Sequence, residues 1–333
     1  MATIDDVARA SGVSASTVSY VLSGKRPISA PTRLRVERSI RKLGYRPHAG
    51  ARALASSQTN VLALMAPLRA GVNVSVIMQF VAGVVTTARK FDFDVLLLTQ
   101  DDATGLERVS DGSMVDALIM MDIEADDPRV PVLAGLRQPG VLIGLPRDSV
   151  GLSCVDLDFD AAGRTAVRHL AQLGHRQVAL VGSPRAVMER HTSYADRMLR
   201  GFTEQTAELG LEGVYEPCES SHAGAVAAVD RVLARMPGVT GLVVHNEVAL
   251  PGVIATLRER GRSIPEDVSV VAVCPQDIAL GQPLPLTSVD IPADAIGRVA
   301  VEMAMARVAG EQPTETRLLA AVLTERLSTA PPR

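Results

Sequence analysis

The sequence has no tryptophan, and aromatic residues fill only 3% of its 333 positions. Its core must therefore be built from Val, Leu, Ala, Ile and Met. Three cysteines, Cys154, Cys218 and Cys274, form no CxxC pair and are odd in number, which argues against a disulfide framework. No stretch supplies the roughly 18 uninterrupted apolar residues that a membrane span needs. The opening MATIDDVARA is acidic and has no apolar run, unlike a secretion signal. A reducing, cytoplasmic setting and no membrane partner are the expectation. Also missing are a phosphate loop GxxxxGK[ST], a GxGxxG turn after a strand, a GxSxG elbow and paired zinc spacing. The reading is therefore of a non-enzyme with no cofactor.

Hydrophobic residues make up 47% of the chain, ample for burial, and the length suggests two or three domains. Charge is unevenly divided. Residues 1–58 hold ten Lys and Arg against three Asp and Glu, so they carry +7, and the rest of a chain of net −3 carries −10. A basic segment on an acidic body points to a polyanion-binding head.

That head begins with Thr3 capping a helix whose first turn holds Asp5 and Asp6, where the helix dipole favours them. Ile4, Val7 and Ala8 form its apolar side, and Ser11-Gly12 ends it with a residue free to take positive φ. Ser14 caps a second helix running to about Leu22. Val18, Val21 and Leu22 face inward at helical spacing, which leaves uncharged Ala15, Ser16, Ser19 and Tyr20 outside. Such a helix, short in side chain and free of acids, fits a major groove. A third helix is expected from a Ser29 cap to Gly44, with Val36, Ile40 and Leu43 inward and Arg33, Arg35, Arg38, Arg41 and Lys42 outward. A solvated three-helix bundle would explain the helices but not the single sign of the charge. DNA binding explains both.

Residues 46–59, RPHAGARALASSQT, are too short for a stable isolated helix. Leu54 is their one large apolar residue, suited to wedge between base steps if the segment folds on binding. Residues 3–58 together resemble, almost without gaps, the DNA-binding headpiece and hinge of the LacI/GalR (lac repressor) family of bacterial transcription regulators. The resemblance implies that Ala15, Ser16 and Tyr20 read bases. It implies that Thr3, Ser14, Thr17, Ser19, Ser23, Ser29 and Thr32 meet phosphates. His48, Ala51, Arg52 and Leu54 would fall on a hinge helix. Many members carry Arg at the position of Tyr20, so the operator sequence would differ.

From Val61 onward, short apolar runs alternate with helical stretches. VLALMAPL, DVLLLTQ, DALIMMDI, PGVLIGL, SCVDLDF, QVALVGS, TGLVVHN and VSVVAV read as buried strands, which implies parallel sheets covered on both faces. The fold class is α/β: a small all-α helix-turn-helix headpiece plus a two-lobed body of doubly wound sheets. Ligands in such bodies bind beyond the carboxyl ends of strands, making Gln100, Asp101, Asp122, Asp158 and Glu247 candidates. Residues 61–325 resemble, more loosely, the periplasmic-binding-protein-like core of the same family, in which two lobes close on a small effector. The resemblance implies a headpiece over 1–45, a hinge over 46–59, one lobe from 60–156 with 286–333, and a second lobe from 157–285. It places Asp158, Arg197 (or Arg200) and Glu247 on effector-binding positions, with Asp277 a further candidate.

Asp156, Asp158 and Asp160 alternate along one edge and could hold a divalent cation, but like charges so close fit a partly solvated edge better, and no metal is expected. His169 and His175 flank a helix end and suit a dipole partner better than catalysis. With no Trp to stack on a sugar, Phe159 and Tyr194 are the nearest substitutes. The expected function is a dimeric, sequence-specific transcriptional regulator, a repressor, binding a near-palindromic double-stranded DNA operator under control of a sugar or related metabolite. The alternative is a cytoplasmic solute-binding or sugar-modifying protein on the same scaffold, which leaves the basic head unexplained.

Overall fold

The computed structural model describes residues 2–23, 26–45, 58–66, 68–69, 73–98, 100, 102–311 and 314–333. The head comprises α1 (Ile4–Ser11), α2 (Ala15–Ser23) and α3 (Ala30–Leu43). Thr3 and Asp6 form a reciprocal capping box at the start of α1, and Gly12 ends it at φ 66°. Val7, Ala8, Val18, Val36 and Tyr45 make a small core that the two turns close. Two expectations change here. Ser29 makes no capping bond to the backbone; its hydroxyl donates to Thr32 Oγ1 at 2.9 Å. Leu43 is 37% exposed. Gly44, at φ 58°, turns the chain so that Tyr45, not Leu43, covers the inner stripe.

The first lobe runs β1 (Val61–Met65), α4 (Val74–Ala88), a 3₁₀ turn (Arg89–Phe91), β2 (Asp94–Leu98), α5 (Ala103–Asp111), β3 (Ala117–Met120), α6 (Arg129–Gly135), β4 (Gly140–Ile143) and β5 (Ser153–Leu157). The second runs α7 (Phe159–Gln172), β6 (Gln177–Gly182), α8 (Arg185–Glu189), α9 (Ser193–Glu208), β7 (Glu212–Pro217), α10 (His222–Arg235), β8 (Gly241–Val244), α11 (Leu250–Glu259), β9 (Ser269–Cys274), α12 (Gln276–Leu280) and β10 (Thr287–Asp290). The chain ends with α13 (Ala293–Val308), β11 (Thr316–Leu319) and β12 (Leu323–Thr324).

The strand order is β2-β1-β3-β4-β5-β11 in one sheet and β7-β6-β8-β9-β10-β12 in the other. The central strands are buried along their length, as parallel strands covered on both faces must be. Sheet membership differs from the expected division in one respect. Residues 287–290 and 323–324 belong to the second sheet, and only α13 and β11 return to the first lobe. The polypeptide thus crosses three times, after β5, after β10 and after β11. β12 also breaks the parallel pattern, pairing antiparallel with β10, because it enters from the opposite lobe.

Two helix pairs are drawn together by glycine. On Gly83 a methyl group would overlap the backbone of Asp294, and on Gly201 it would overlap the backbone carbonyl of Asp160. So α4 lies against α13 and α9 against α7 at backbone contact. By length and mean hydropathy Val74–Phe91 could cross a membrane, which the count of uninterrupted apolar residues did not anticipate. In this fold one face of that helix packs on α13.

Candidate functional site

The head presents one chemically uniform surface. Ser16 is exposed, and Ala15, Ser19 and Tyr20 are partly so. Ser14 accepts from Thr17 N at 3.2 Å and shares a hydrogen bond with the Thr17 hydroxyl at 2.9 Å, setting the start of α2. Arg26 stands over the Tyr20 ring at 5.0 Å, a stacking that limits where the ring can point. Arg33, Arg35, Arg38, Arg41 and Lys42 are all exposed, and none forms an ion pair among the described residues. Of Ser23 only the backbone is described, and His48, Ala51, Arg52 and Leu54 lie outside the described residues.

The second site lies in the body. Each sheet reverses its winding direction once, between β1 and β3 and between β6 and β8, and such reversals leave crevices at the carboxyl ends of strands. A cavity of about 140 Å³ lies between the lobes at these points. Asp122 follows β3, Ser183 follows β6, and His245, Asn246 and Glu247 follow β8, all on its wall. Phe159, Tyr194 and His245 form an aromatic corner with ring centroids 5.4–5.6 Å apart.

The charged residues around the cavity are tightly organised. Asp122, at φ 56°, accepts Arg69 of its own lobe at 2.9 Å and Arg190 of the other at 3.3 Å. Arg190 also reaches Glu124 at 3.2 Å, so this cluster ties the lobes together. Asp156 holds Arg197 in a buried ion pair. Burial still pushes the Asp156 carboxyl up to about 6, against the pull of Arg197. Burial likewise raises Glu247 to about 7 and lowers His245 to about 4.

The sequence candidates divide accordingly. Asp122 and Glu247 lie on the cavity wall, as do the two stacking candidates Phe159 and Tyr194. Asp158 does not: it caps α7 by accepting from Ala161 N at 3.0 Å, because helix begins where strand alternation would have aimed it inward. Arg197 is spent on Asp156 and on the Leu157 carbonyl at 3.3 Å. The alternative Arg200 pairs with Asp160 at 2.7 Å on the surface. Asp277 is exposed outside the cavity and accepts twice from Gln79 Nε2, at 3.0 and 3.2 Å, across the lobes. Gln100 is exposed and apart from the cavity; Asp101 lies outside the described residues. Asp156 and His245 were missed as cavity residues. The polar triplet His245-Asn246-Glu247 closing an apolar strand was the available signal. Among the described residues no group of three His, Cys, Asp or Glu is placed to hold a metal ion.

A helix-turn-helix head with a free basic face, joined to a two-lobed body with a ligand-sized crevice, defines a DNA-binding regulator with an effector domain. Residues 3–48 match the family described as bacterial regulatory proteins, lacI family, and residues 167–329 match a periplasmic binding protein-like domain. The transcriptional regulator CelR of Thermobifida fusca is 30% identical over 337 residues, spanning 95% of each chain. Catabolite control protein A of Priestia megaterium is 28% identical over 90% of this chain and 91% of its own. Among solved structures, a CelR–cellobiose complex superposes with TM-score 0.68 at 27% identity, covering 98% of this chain and all of that one. The lac repressor dimer bound to operator and the anti-inducer ONPF gives 0.83 at 21% identity over 99% of each, a likeness of fold. The chain belongs to the lacI family of bacterial regulatory proteins. Its relatives are transcriptional regulators, not enzymes.

Proposed function

We propose that the protein is a repressor that holds a near-palindromic operator as a homodimer and changes its grip when a small metabolite, a sugar or a relative of one, enters the interlobe cavity. The observation that carries this reading is the crevice at both sheet reversals, lined by residues of two lobes, together with a head whose α3 bears five basic residues in no ion pair among the described residues. In this reading Ala15, Ser16 and Tyr20 face base edges, and Thr3, Ser14, Thr17, Ser19, Ser23, Ser29 and Thr32 face phosphates. His48, Ala51, Arg52 and Leu54 lie over the minor groove between half-sites. CelR, crystallised with cellobiose, supports a sugar-like effector.

An exposed apolar face supports the dimer. Val74, Met78 and Val85 of α4, Phe91, and Leu97 of β2 are each more than two-fifths exposed, and exposed apolar side chains of this kind suit an association surface. Cytoplasmic location belongs to the same reading. The solute-binding and sugar-modifying alternatives give no role to five exposed basic residues on α3 that form no ion pair among the described residues.

Anisotropy titration of labelled operator fragments across a salt series tests the proposal. Affinity should fall steeply with salt, disappear when residues 1–58 are removed, and shift when an effector is added. Undiminished DNA affinity in the truncated protein would overturn it.

A further inference from the structure

Most polar side chains on the cavity wall already have partners. Asn246 gives its amide to the Cys218 carbonyl at 2.7 Å and takes Ala249 N at 3.1 Å. Asn73 caps α4. Asp156 holds Arg197, and Asp122 holds Arg69 and Arg190. Two titratable groups are left over. His245 is only 5% exposed yet has no hydrogen-bond partner among the described residues. Glu247 has none beyond its own backbone N–H. Both groups line the cavity, where a bound molecule is placed to complete them.

The charge count is equally specific. Three carboxylates, Asp122, Asp156 and Glu247, line the cavity, and no Lys or Arg does so among the described residues. Arginines outside the lining neutralise two of them. Glu247 alone is unbalanced, and a lone carboxylate in apolar surroundings must take up a cation or a proton. Close by stands the corner of Phe159, Tyr194 and His245, and aromatic faces attract organic cations.

We propose that the ligand of this cavity is a small hydroxylated amine, an organic monocation whose ammonium group is received by Glu247 beside the rings of Phe159 and Tyr194, with the His245 ring hydrogen-bonding a neighbouring hydroxyl. The assignment rests on the cavity being the effector site. Burial sets its pH dependence: a carboxyl pushed up to about 7 is partly protonated near neutrality and must release that proton to solvent as the ammonium group binds. The other titratable groups around it add no competing positive charge. Tyr194 and Cys274 are held protonated by burial, Asp122 and Asp156 are paired, and His245 is neutral above about pH 4.

The test is calorimetry and thermal shift on the full-length protein with glucosamine and galactosamine against glucose and galactose, extended to a panel of aminocyclitols and simple hydroxyamines. Amines should bind on the order of tenfold or more tighter than their hydroxyl parents, and at pH 6.5 binding should release a proton, seen as a buffer-dependent enthalpy. Glu247→Gln should erase the preference, and Glu247→Asp should keep part of it. Parents binding as tightly as amines, or a preference that survives Glu247→Gln, would overturn the proposal while leaving the effector site intact. Neutral sugars that bind where every amine fails would do the same. If no compound of either kind changes melting temperature or operator affinity, the effector reading falls with it.

Discussion

Asp156, the fourth residue of the last first-lobe strand before the crossing, and Arg197, one turn into α9, form an ion pair with both side chains nearly sealed from solvent. The pair spans the two lobes. Its arginine is braced by the Leu157 carbonyl and lies 5.6 Å from the Phe159 ring centre, so the charge at the back of the cavity is fixed before any ligand arrives. Arg197→Ala leaves Asp156 buried and unpaired. Chemical denaturation should show a loss of about 3–5 kcal/mol, whereas a merely superficial arginine would cost under about 0.5 kcal/mol.

Glu247 should make the ligand-free protein less stable as pH rises. Its folded value, about 7, lies above the ordinary 4.5. The stability tied to its protonated form is therefore complete below pH 4.5 and lost as pH climbs through about 7. Glu247→Gln should thus be more stable than the parent at pH 8, by on the order of 2 kcal/mol, with the difference gone at pH 4.5. His245 has the opposite sign: lowered from 6.5 to about 4, it costs stability as pH falls through that window, in both proteins alike. Melting curves of the pair from pH 4.5 to 8.5 separate the two effects.

Gly201→Ala should destabilise the second lobe, because the added methyl meets the Asp160 backbone where α9 crosses α7. Overpacking of this kind costs about 1–3 kcal/mol. Equilibrium unfolding measures it, and an unchanged midpoint would show that the helices can separate freely.

On the head, Tyr20→Ala should alter operator preference without much change in salt dependence. Arg26→Ala should reproduce part of that effect, since the guanidinium holds the ring from 5.0 Å. Losing an outer cation such as Arg38 should weaken all sequences alike and reduce the salt slope by about one if it meets a phosphate. Binding-site selection at two salt concentrations distinguishes these cases.

If α4 carries the proposed dimer interface, replacing Met78 and Val85 by Glu should yield a monomer while leaving the fold intact, since both side chains are exposed on that helix. Sedimentation velocity and circular dichroism on the same samples check both halves of the statement.

Much of this was legible from residue pattern. Apolar runs gave nearly every central strand, because a strand covered on both faces leaves no room for polar residues. What escaped was set by tertiary context. β7 (Glu212–Pro217) is a partly exposed edge strand with mixed polarity, so its sequence lacks the apolar signature. β12 is two residues long. Asp158 and Asp156 are two apart, and a strand would put them on one face; the helix starting at Phe159 sends Asp158 to a cap. Arg197 was identifiable as important, but its target depends on which carboxylate the other lobe supplies. That partner lies 41 residues away.

The three crossings between the lobes leave little freedom in how the protein answers its ligand. A body joined by one strap could twist, slide or tumble open. Three straps, after Leu157, Asp290 and Leu319, resist slippage and wringing and leave mainly a clam-like rotation about the line they define. In the proposed reading an occupant of the crevice therefore has one mechanical output, a change of angle between the lobes, for the head to feel.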